Sequence, residues 1–157
     1  MMPGPVSARV ISGRLAIVEN LLRLIRALPL ESRDAFLADP RNTATAESCL
    51  RRSLEALLDI GRHILAKGYA IAVSEYKAVA TTLQKQGVLA EDEAAVLHVL
   101  AGYRNRMVHF YYEISEEELY AICTRELGDI ERIADAYRRW LKQHPEKLDT
   151  GADSLTR

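Results

Sequence analysis

The chain has 157 residues and a net charge of −1, with 48% hydrophobic and 27% charged residues. This balance is typical of a folded globular domain and excludes collagenous, low-complexity and uniformly basic nucleic-acid-binding proteins. One domain of this length buries roughly 70% of its unfolded surface and needs neither disulfides nor a structural metal. The two cysteines, Cys49 and Cys123, lack metal-ligand spacing, so we expect both to be reduced core residues.

Apolar residues at steps of three and four predict helices along the first half of the chain. A first helix runs over residues 11–28 and stops at Pro29, and residues 32–37 are a possible short helix, interrupted by Pro40. A long helix then carries the buried stripe Leu50, Leu54, Leu57, Leu58, Gly61, Ile64 and Leu65. Gly68 is expected to end this central helix.

The second half of the chain predicts three more helices. Ser74 is expected to cap a helix that stops at Gly87, and the next helix covers about residues 91–107. Ser115 and Glu118 form a capping-box pattern, which predicts the start of a final helix that continues to Leu141.

These elements predict an all-α fold, a single-domain bundle of four to five helices with short connections. The expected organisation is an N-terminal segment over residues 1–10, a helical domain over residues 11–142 and a flexible C-terminal tail over residues 143–157. The N-terminus has no signal-like apolar stretch and no window is long enough to span a membrane, so we expect a cytoplasmic protein without membrane contact.

The most unusual stretch is GYRNRMVHFYYEIS, residues 102–115, where the fourth helix is expected to end. Arg104 and Arg106 offer permanent cations whose forked donors suit a phosphate, and His109 can give or take a proton near neutral pH. Such groups are sufficient for RNA cleavage in which the ribose 2′-OH attacks the neighbouring phosphate, without a metal or other cofactor. A solvated helix end, where cations favour the helix dipole, is the plainer interpretation.

The spacing of this cluster restricts how it can act. On a continuous helix Arg104 and His109 differ by about 140° in rotation, because each residue advances about 100°. Either the helix unwinds before His109, or two chains bring their copies together across a two-fold axis. We expect both, and dimerisation would also concentrate Arg104 and Arg106 in one basic cleft.

The segment RNRMVHFY, residues 104–111, resembles the Arg-x4-His-x-Tyr motif of the HEPN superfamily, in particular the HepT-like toxins of the DUF86 group. The order of helices over residues 11–141 is similar to that family as well. The resemblance implies a HEPN-like homodimeric ribonuclease toxin that is independent of metal and cleaves RNA at a composite dimer-interface site. It assigns Arg104, His109 and Asn105 to the catalytic site and leaves Arg106 as an expected RNA-binding residue.

The resemblance also implies a partner, a minimal nucleotidyltransferase antitoxin of the MntA type in a type VII-like toxin–antitoxin pair. Such an antitoxin neutralises the toxin by transferring AMP to the motif tyrosine. Tyr111 matches the motif spacing, and Tyr112 next to it stays an alternative. The competing functional hypothesis is a helical substrate-binding or docking subunit of a nucleotidyltransferase that does not cleave RNA.

Overall fold

The computed structural model of the protein describes residues 3–109 and 114–149. Within these ranges the chain forms seven α-helices: α1 (Ala8–Arg26), α2 (Arg33–Leu37), α3 (Pro40–His63), α4 (Tyr76–Lys85), α5 (Glu91–His109), α6 (Glu116–Arg125) and α7 (Leu127–Gln143). One π-helical turn (Ile64–Gly68) continues α3, and a 3-10 turn (Pro145–Lys147) follows α7. The predicted all-α single-domain bundle is confirmed, with seven helices in the described ranges instead of the four to five expected.

Helix α3 is the centre of the bundle and touches each of the other six helices. Its apolar stripe lies where the three- and four-residue spacing predicts, and the largest buried side chains of the molecule surround it. From α7, the buried Tyr137 hydroxyl donates a hydrogen bond of 2.9 Å to the carbonyl oxygen of Leu57. The main members of this core are Ile11, Ile25, Phe36, Leu50, Leu54, Leu57, Leu58, Ile60, Ile64, Leu65, Tyr137 and Trp140.

The start of α3 and its end are both set by local sequence. Asp39 is the N-cap, with a side chain that accepts from the backbone N–H of Arg41, and Pro40 occupies the first turn, where it needs no hydrogen-bond partner. At the other end the helix widens into the π-helical turn and stops at Gly68 as predicted. The chain then passes through Ala70 at φ 57° into an extended linker, residues 70–74, that leads to α4.

The final helix predicted from Ser115 to Leu141 is two helices, α6 and α7, separated at Glu126. Ser115 caps α6 as predicted, since its hydroxyl accepts from the N–H of Glu118 at 3.1 Å. The Glu118 carboxylate instead pairs with Arg106, so the reciprocal half of the capping box is replaced by an ion pair. The break at Glu126 lets α6 pack against α2 and α3 while α7 packs against α1 and α5.

Within the segment expected to form the tail, residues 147–149 contact the beginning of the chain. Val6 and Leu148 form a parallel β-bridge, and the backbone N–H of Val6 donates to the Lys147 carbonyl at 2.8 Å. Asp149 accepts from the N–H of Ala8, so the tail also caps the start of α1. The apolar pattern of the last helix could not indicate this, because the contacts join residues more than 140 positions apart.

Helix α7 is also tied to the beginning of α5. Arg139 donates two hydrogen bonds of 2.7 Å to the buried side chain of Glu93. The Glu93 carboxylate also accepts from the N–H of Ala90. The Arg139 guanidinium holds the pKa of the Glu93 carboxyl below its usual value. This pair fixes the direction in which α5 leaves the loop before it.

Cys49 and Cys123 are both buried and free, as expected from the sequence. Burial raises the pKa of the Cys123 thiol to about 12, so it stays protonated at neutral pH. None of the helices in the described parts of the chain is long and apolar enough to cross a membrane.

Candidate functional site

A polar cavity of about 450 Å³ lies between α3, α5 and the beginning of α4. We call it the Arg–His cavity, because it brings together two of the residues singled out in the sequence. The side chains that line it come from the last turns of α3 and α5 and from the junction between the linker and α4. They are Arg62, Ser74, Glu75, Tyr76, Lys77, Arg104, Asn105 and His109.

Helix α5 is continuous through His109, so the expectation that it unwinds before this residue is wrong. Asn105 and His109 are four residues apart and therefore lie on one helix face, both at the cavity. The Arg104 side chain is long enough to reach the same cavity from the neighbouring face. Within one chain, then, the rotation of about 140° between Arg104 and His109 does not keep them apart.

Arg104 is held in place by two side chains. Its Nε and Nη2 both donate to Glu55 Oε2, at 3.1 and 2.9 Å, and its guanidinium lies 4.7 Å from the centre of the Tyr76 ring. Its Nη1 makes a longer contact of 3.4 Å with Asn105 Oδ1. Only 17% of the Arg104 side chain is exposed, which indicates a pre-positioned cation rather than a mobile surface arginine.

Glu55 does not use up the hydrogen-bonding capacity of Arg104. A guanidinium has five N–H donors, and the contacts with Glu55 and Asn105 occupy three of them among the described residues. Two donors have no partner in the described part of the chain and can meet an incoming anion. Because they belong to one planar group, they suit two oxygens of the same phosphate.

Tyr76 is at the centre of the charged groups around this cavity. Its hydroxyl donates to Asp59 Oδ1 at 2.8 Å, and the Arg62 guanidinium lies 5.5 Å from the ring centre. Burial and the Asp59 carboxylate raise the pKa of Tyr76 to about 12, against the opposing effect of Arg104 and Arg62. Tyr76 is therefore a neutral hydrogen-bond donor at physiological pH, with a ring that supports two cations.

A further residue predicted for the site, Arg106, lies elsewhere on α5. Arg106 does not line the Arg–His cavity. It lies two positions after Arg104 on α5, so its side chain faces α6, where its Nη2 lies 2.7 Å from Glu118 Oε1. Tyr111 and its alternative Tyr112 lie outside the described residues. Their place in the sequence is two and three positions after His109, the last residue of α5.

Local sequence patterns did not indicate the residues that hold Arg104 or the second arginine, Arg62, beside it. Glu55, Asp59 and Arg62 lie outside the apolar stripe of the central helix, and Tyr76 belongs to no motif recognised in the sequence. The signal was present in their spacing, since residues 55, 59 and 62 recur at helical steps on one face of α3. What the spacing could not show is that α5 and the linker lie against this face.

Among described residues, no group of three or more His, Cys, Asp or Glu side chains is arranged to hold a metal ion. Two of the cations that line the cavity are instead paired with carboxylates just outside it. Arg62 lies 3.7 Å from Asp59, and Arg104 lies 2.9 Å from Glu55. The cavity can accept an anion on its cations and can exchange a proton through His109.

The chain belongs to the HepT-like ribonuclease family, whose model matches residues 17–137. The resemblance drawn from RNRMVHFY and from the order of helices is thereby confirmed. No curated protein is similar enough in sequence to count as a relative.

Solved structures share the fold of this chain. A tri-AMPylated HEPN toxin of Shewanella oneidensis, in complex with an MNT antitoxin, has a TM-score of 0.74 at 21% identity and covers 83% of this chain and 97% of its own. A toxin–antitoxin structure with AMP-PNP has a TM-score of 0.73 at 20% identity, with 82% and 97% covered.

A third similar structure is the cytosolic protein of unknown function YutE from Bacillus subtilis. It has a TM-score of 0.70 at 20% identity and covers 89% of this chain and 94% of its own. At these identities the likeness establishes the HEPN-type all-α fold.

Proposed function

We propose that this protein is an endoribonuclease toxin that cleaves RNA at the Arg–His cavity without a metal. The observation that supports this most directly is that Arg104, Asn105 and His109 line one open cavity, with Arg104 already oriented by Glu55 and Tyr76. Membership of the HepT-like ribonuclease family makes RNA the natural substrate for these groups.

The proposed chemistry uses the ribose 2′-OH as the nucleophile. Its oxygen forms a bond to the adjacent phosphorus while the bond from phosphorus to the 5′ oxygen breaks, which leaves a 2′,3′-cyclic phosphate and a 5′-OH. The 2′-OH loses a proton and the leaving 5′ oxygen gains one, and His109 takes part in this proton transfer. The two remaining N–H donors of Arg104 stabilise the negative charge on the phosphate oxygens. The Asn105 amide helps to hold the phosphate at the same helix face.

The partner proposed for the toxin is a minimal nucleotidyltransferase that transfers AMP to Tyr111. Similar structures include a tri-AMPylated HEPN toxin in complex with an MNT antitoxin, which supports the same regulation here. Tyr111 follows His109 by two residues in the chain. A phosphate attached there would bring negative charge next to a cavity that receives substrate phosphate and would oppose its binding.

We further propose that two copies of the chain assemble so that their cavities share one groove. Within a chain Arg104 and His109 already reach the same cavity, so each copy supplies its own pair and the dimer joins two pairs along one RNA path. Mixing inactive Arg104→Ala and His109→Ala proteins should then leave RNA uncleaved. Recovery of activity in the mixture would show that the pair forms between chains instead.

The decisive experiment compares wild type with Arg104→Ala and His109→Ala, expressed at matched levels in a bacterial host and then purified. His98→Ala is the control, because His98 is an exposed histidine of the same helix that does not line the cavity. Wild type and His98→Ala should arrest growth and cleave RNA in EDTA. The two site variants should lose at least a hundredfold in rate, since a positioned acid–base group contributes about 10²–10⁴.

Folding of the variants is not expected to obscure the result. His109 is exposed, and Glu55 keeps its contact with Arg51 when Arg104 is removed. Equal RNA cleavage by wild type and His109→Ala would contradict the proposal. Absence of both toxicity and cleavage in all four proteins would favour the docking subunit of a nucleotidyltransferase.

A further inference from the structure

A second cavity, of about 480 Å³, adjoins the Arg–His cavity. We call it the Arg14 cavity after the residue that α1 contributes. Arg62 lines both cavities, so the two are joined at its side chain. The residues that line the Arg14 cavity are Arg14, Asp59, Arg62, His63, Ala66, Ala72 and Val73.

The linker between the π-helical turn and α4 divides the two cavities. Linker residues 72–73 line the Arg14 cavity, and residues 74–77, from the end of the linker into α4, line the Arg–His cavity. The left-handed backbone at Ala70 redirects the chain just before this stretch. A ligand longer than one nucleotide could therefore leave the Arg–His cavity by passing over this linker beside Arg62.

The charge of the Arg14 cavity favours an anion. Arg14 and Arg62 are permanent cations on two different helices, and Asp59 is the one carboxylate among the described residues that line the cavity. Asp59 already accepts from the Tyr76 hydroxyl and lies 3.7 Å from Arg62. Arg14 contributes a cation whose interaction with an incoming phosphate does not depend on displacing that carboxylate.

We propose that the Arg14 cavity binds a nucleotide next to the cleaved bond, with the neighbouring phosphate between Arg14 and Arg62. This subsite rests on the proposed ribonuclease function and adds an RNA path to it. A volume of about 480 Å³ is adequate for a single nucleotide, since small-molecule sites start at about 300 Å³. The path runs from His109 across Arg62 to Arg14, so longer RNA strands would bind more tightly than short ones.

The test measures binding of uncleavable 2′-deoxy oligonucleotides, one of two nucleotides and one of six, to full-length protein. Arg14→Gln is compared with Arg9→Gln, which removes the same charge from an exposed position of α1 that lines neither cavity. The Arg14→Gln protein should bind the six-nucleotide strand about fivefold more weakly and bind the dinucleotide unchanged. For the longer strand, the slope of the logarithm of the binding constant against the logarithm of salt concentration should become less steep by about 0.7, the value for one phosphate contact.

The outcomes separate this subsite from the cleavage function. If cleavage of unmodified RNA fails while the longer strand still binds in an Arg14-dependent way, the proposed function is wrong and the subsite stands. If Arg14→Gln and Arg9→Gln bind the longer strand equally, the subsite is wrong whether or not RNA is cleaved. A wild type that binds six nucleotides no more tightly than two also overturns it.

Discussion

Arg104 shows how neighbouring side chains hold a single cation in one orientation. Glu55 fixes the edge of the guanidinium through two donors, and Tyr76 supports its face. An arginine restrained in this way loses less side-chain entropy when it binds a phosphate than a free one would. The carboxylate is therefore expected to orient the cation more than to neutralise it.

Replacement of Glu55 by Gln tests this role. We expect kcat/KM for RNA cleavage to fall by roughly 10-fold to 100-fold, because a misplaced catalytic group costs that much in rate. The control is Glu47→Gln, since Glu47 also pairs with Arg51 but makes no contact with Arg104. Kinetic measurement on a short RNA should separate the two variants, and equal rates would show that Glu55 does not position Arg104.

At the scale of helices, Gly61 allows α3, α4 and α7 to meet closely. A Cβ at this position would lie 2.8 Å from Val79, 2.9 Å from Leu83 and 2.9 Å from the Tyr137 hydroxyl. Real Cβ atoms do not lie this close to other atoms, so these side chains or the helices that carry them must shift if the residue is enlarged. This crossing also determines where α4 starts, and with it the position of Tyr76 in the Arg–His cavity.

Gly61→Ala should therefore destabilise the fold by about 1–3 kcal/mol, the usual cost of overpacking a core. Gly13→Ala is the matched control, because nothing lies within 4 Å of a Cβ at Gly13 in the middle of α1. That change should stabilise the protein by up to about 1 kcal/mol through helix propensity. Urea unfolding of both variants measures the difference, and a stable Gly61→Ala protein would mean that the crossing is loosely packed.

At the scale of the whole molecule, the beginning and the end of the described chain pack against each other and against the π-helical turn. His63 Nε2 accepts from the backbone N–H of Ser7 at 3.1 Å, and Lys147 donates to the carbonyl of Gly68. Burial lowers the pKa of His63, and the charges of Arg14 and Lys67 lower it further against the effect of Asp149. The folded state thus favours the neutral imidazole, the form that can accept this hydrogen bond.

This linkage predicts a loss of stability on acidification. The pKa of His63 in the folded state lies below its ordinary value of 6.5. The contribution of neutral His63 to the free energy of unfolding is therefore complete above pH 6.5. The contribution is lost as the pH falls below 6.5 and through the folded-state value. Thermal unfolding between pH 7.5 and 5 should show wild type losing stability relative to His63→Gln, which does not titrate. Parallel curves for the two proteins would contradict the assignment.

The sequence by itself determined the helical class, the position of the central helix and the family. Periodicity, capping residues and the Arg-x4-His-x-Tyr spacing are local properties, so they can be recognised in a single chain. The same local information placed Arg104, Asn105 and His109 near one helix end. Helix rotation alone predicts that Arg104 and His109 point apart. The arginine side chain is long enough to reach the same cavity, which the rotation angle does not take into account.

Only the tertiary structure decided which residues surround these three. Glu55 and Tyr76 are 49 and 28 positions before Arg104, and they meet it because α3, the linker and α5 pack side by side. The pairing of Arg106 with Glu118 and the bridge between Val6 and Leu148 arise in the same way. Such contacts depend on how helices are arranged around α3, a property that apolar spacing along one helix does not contain.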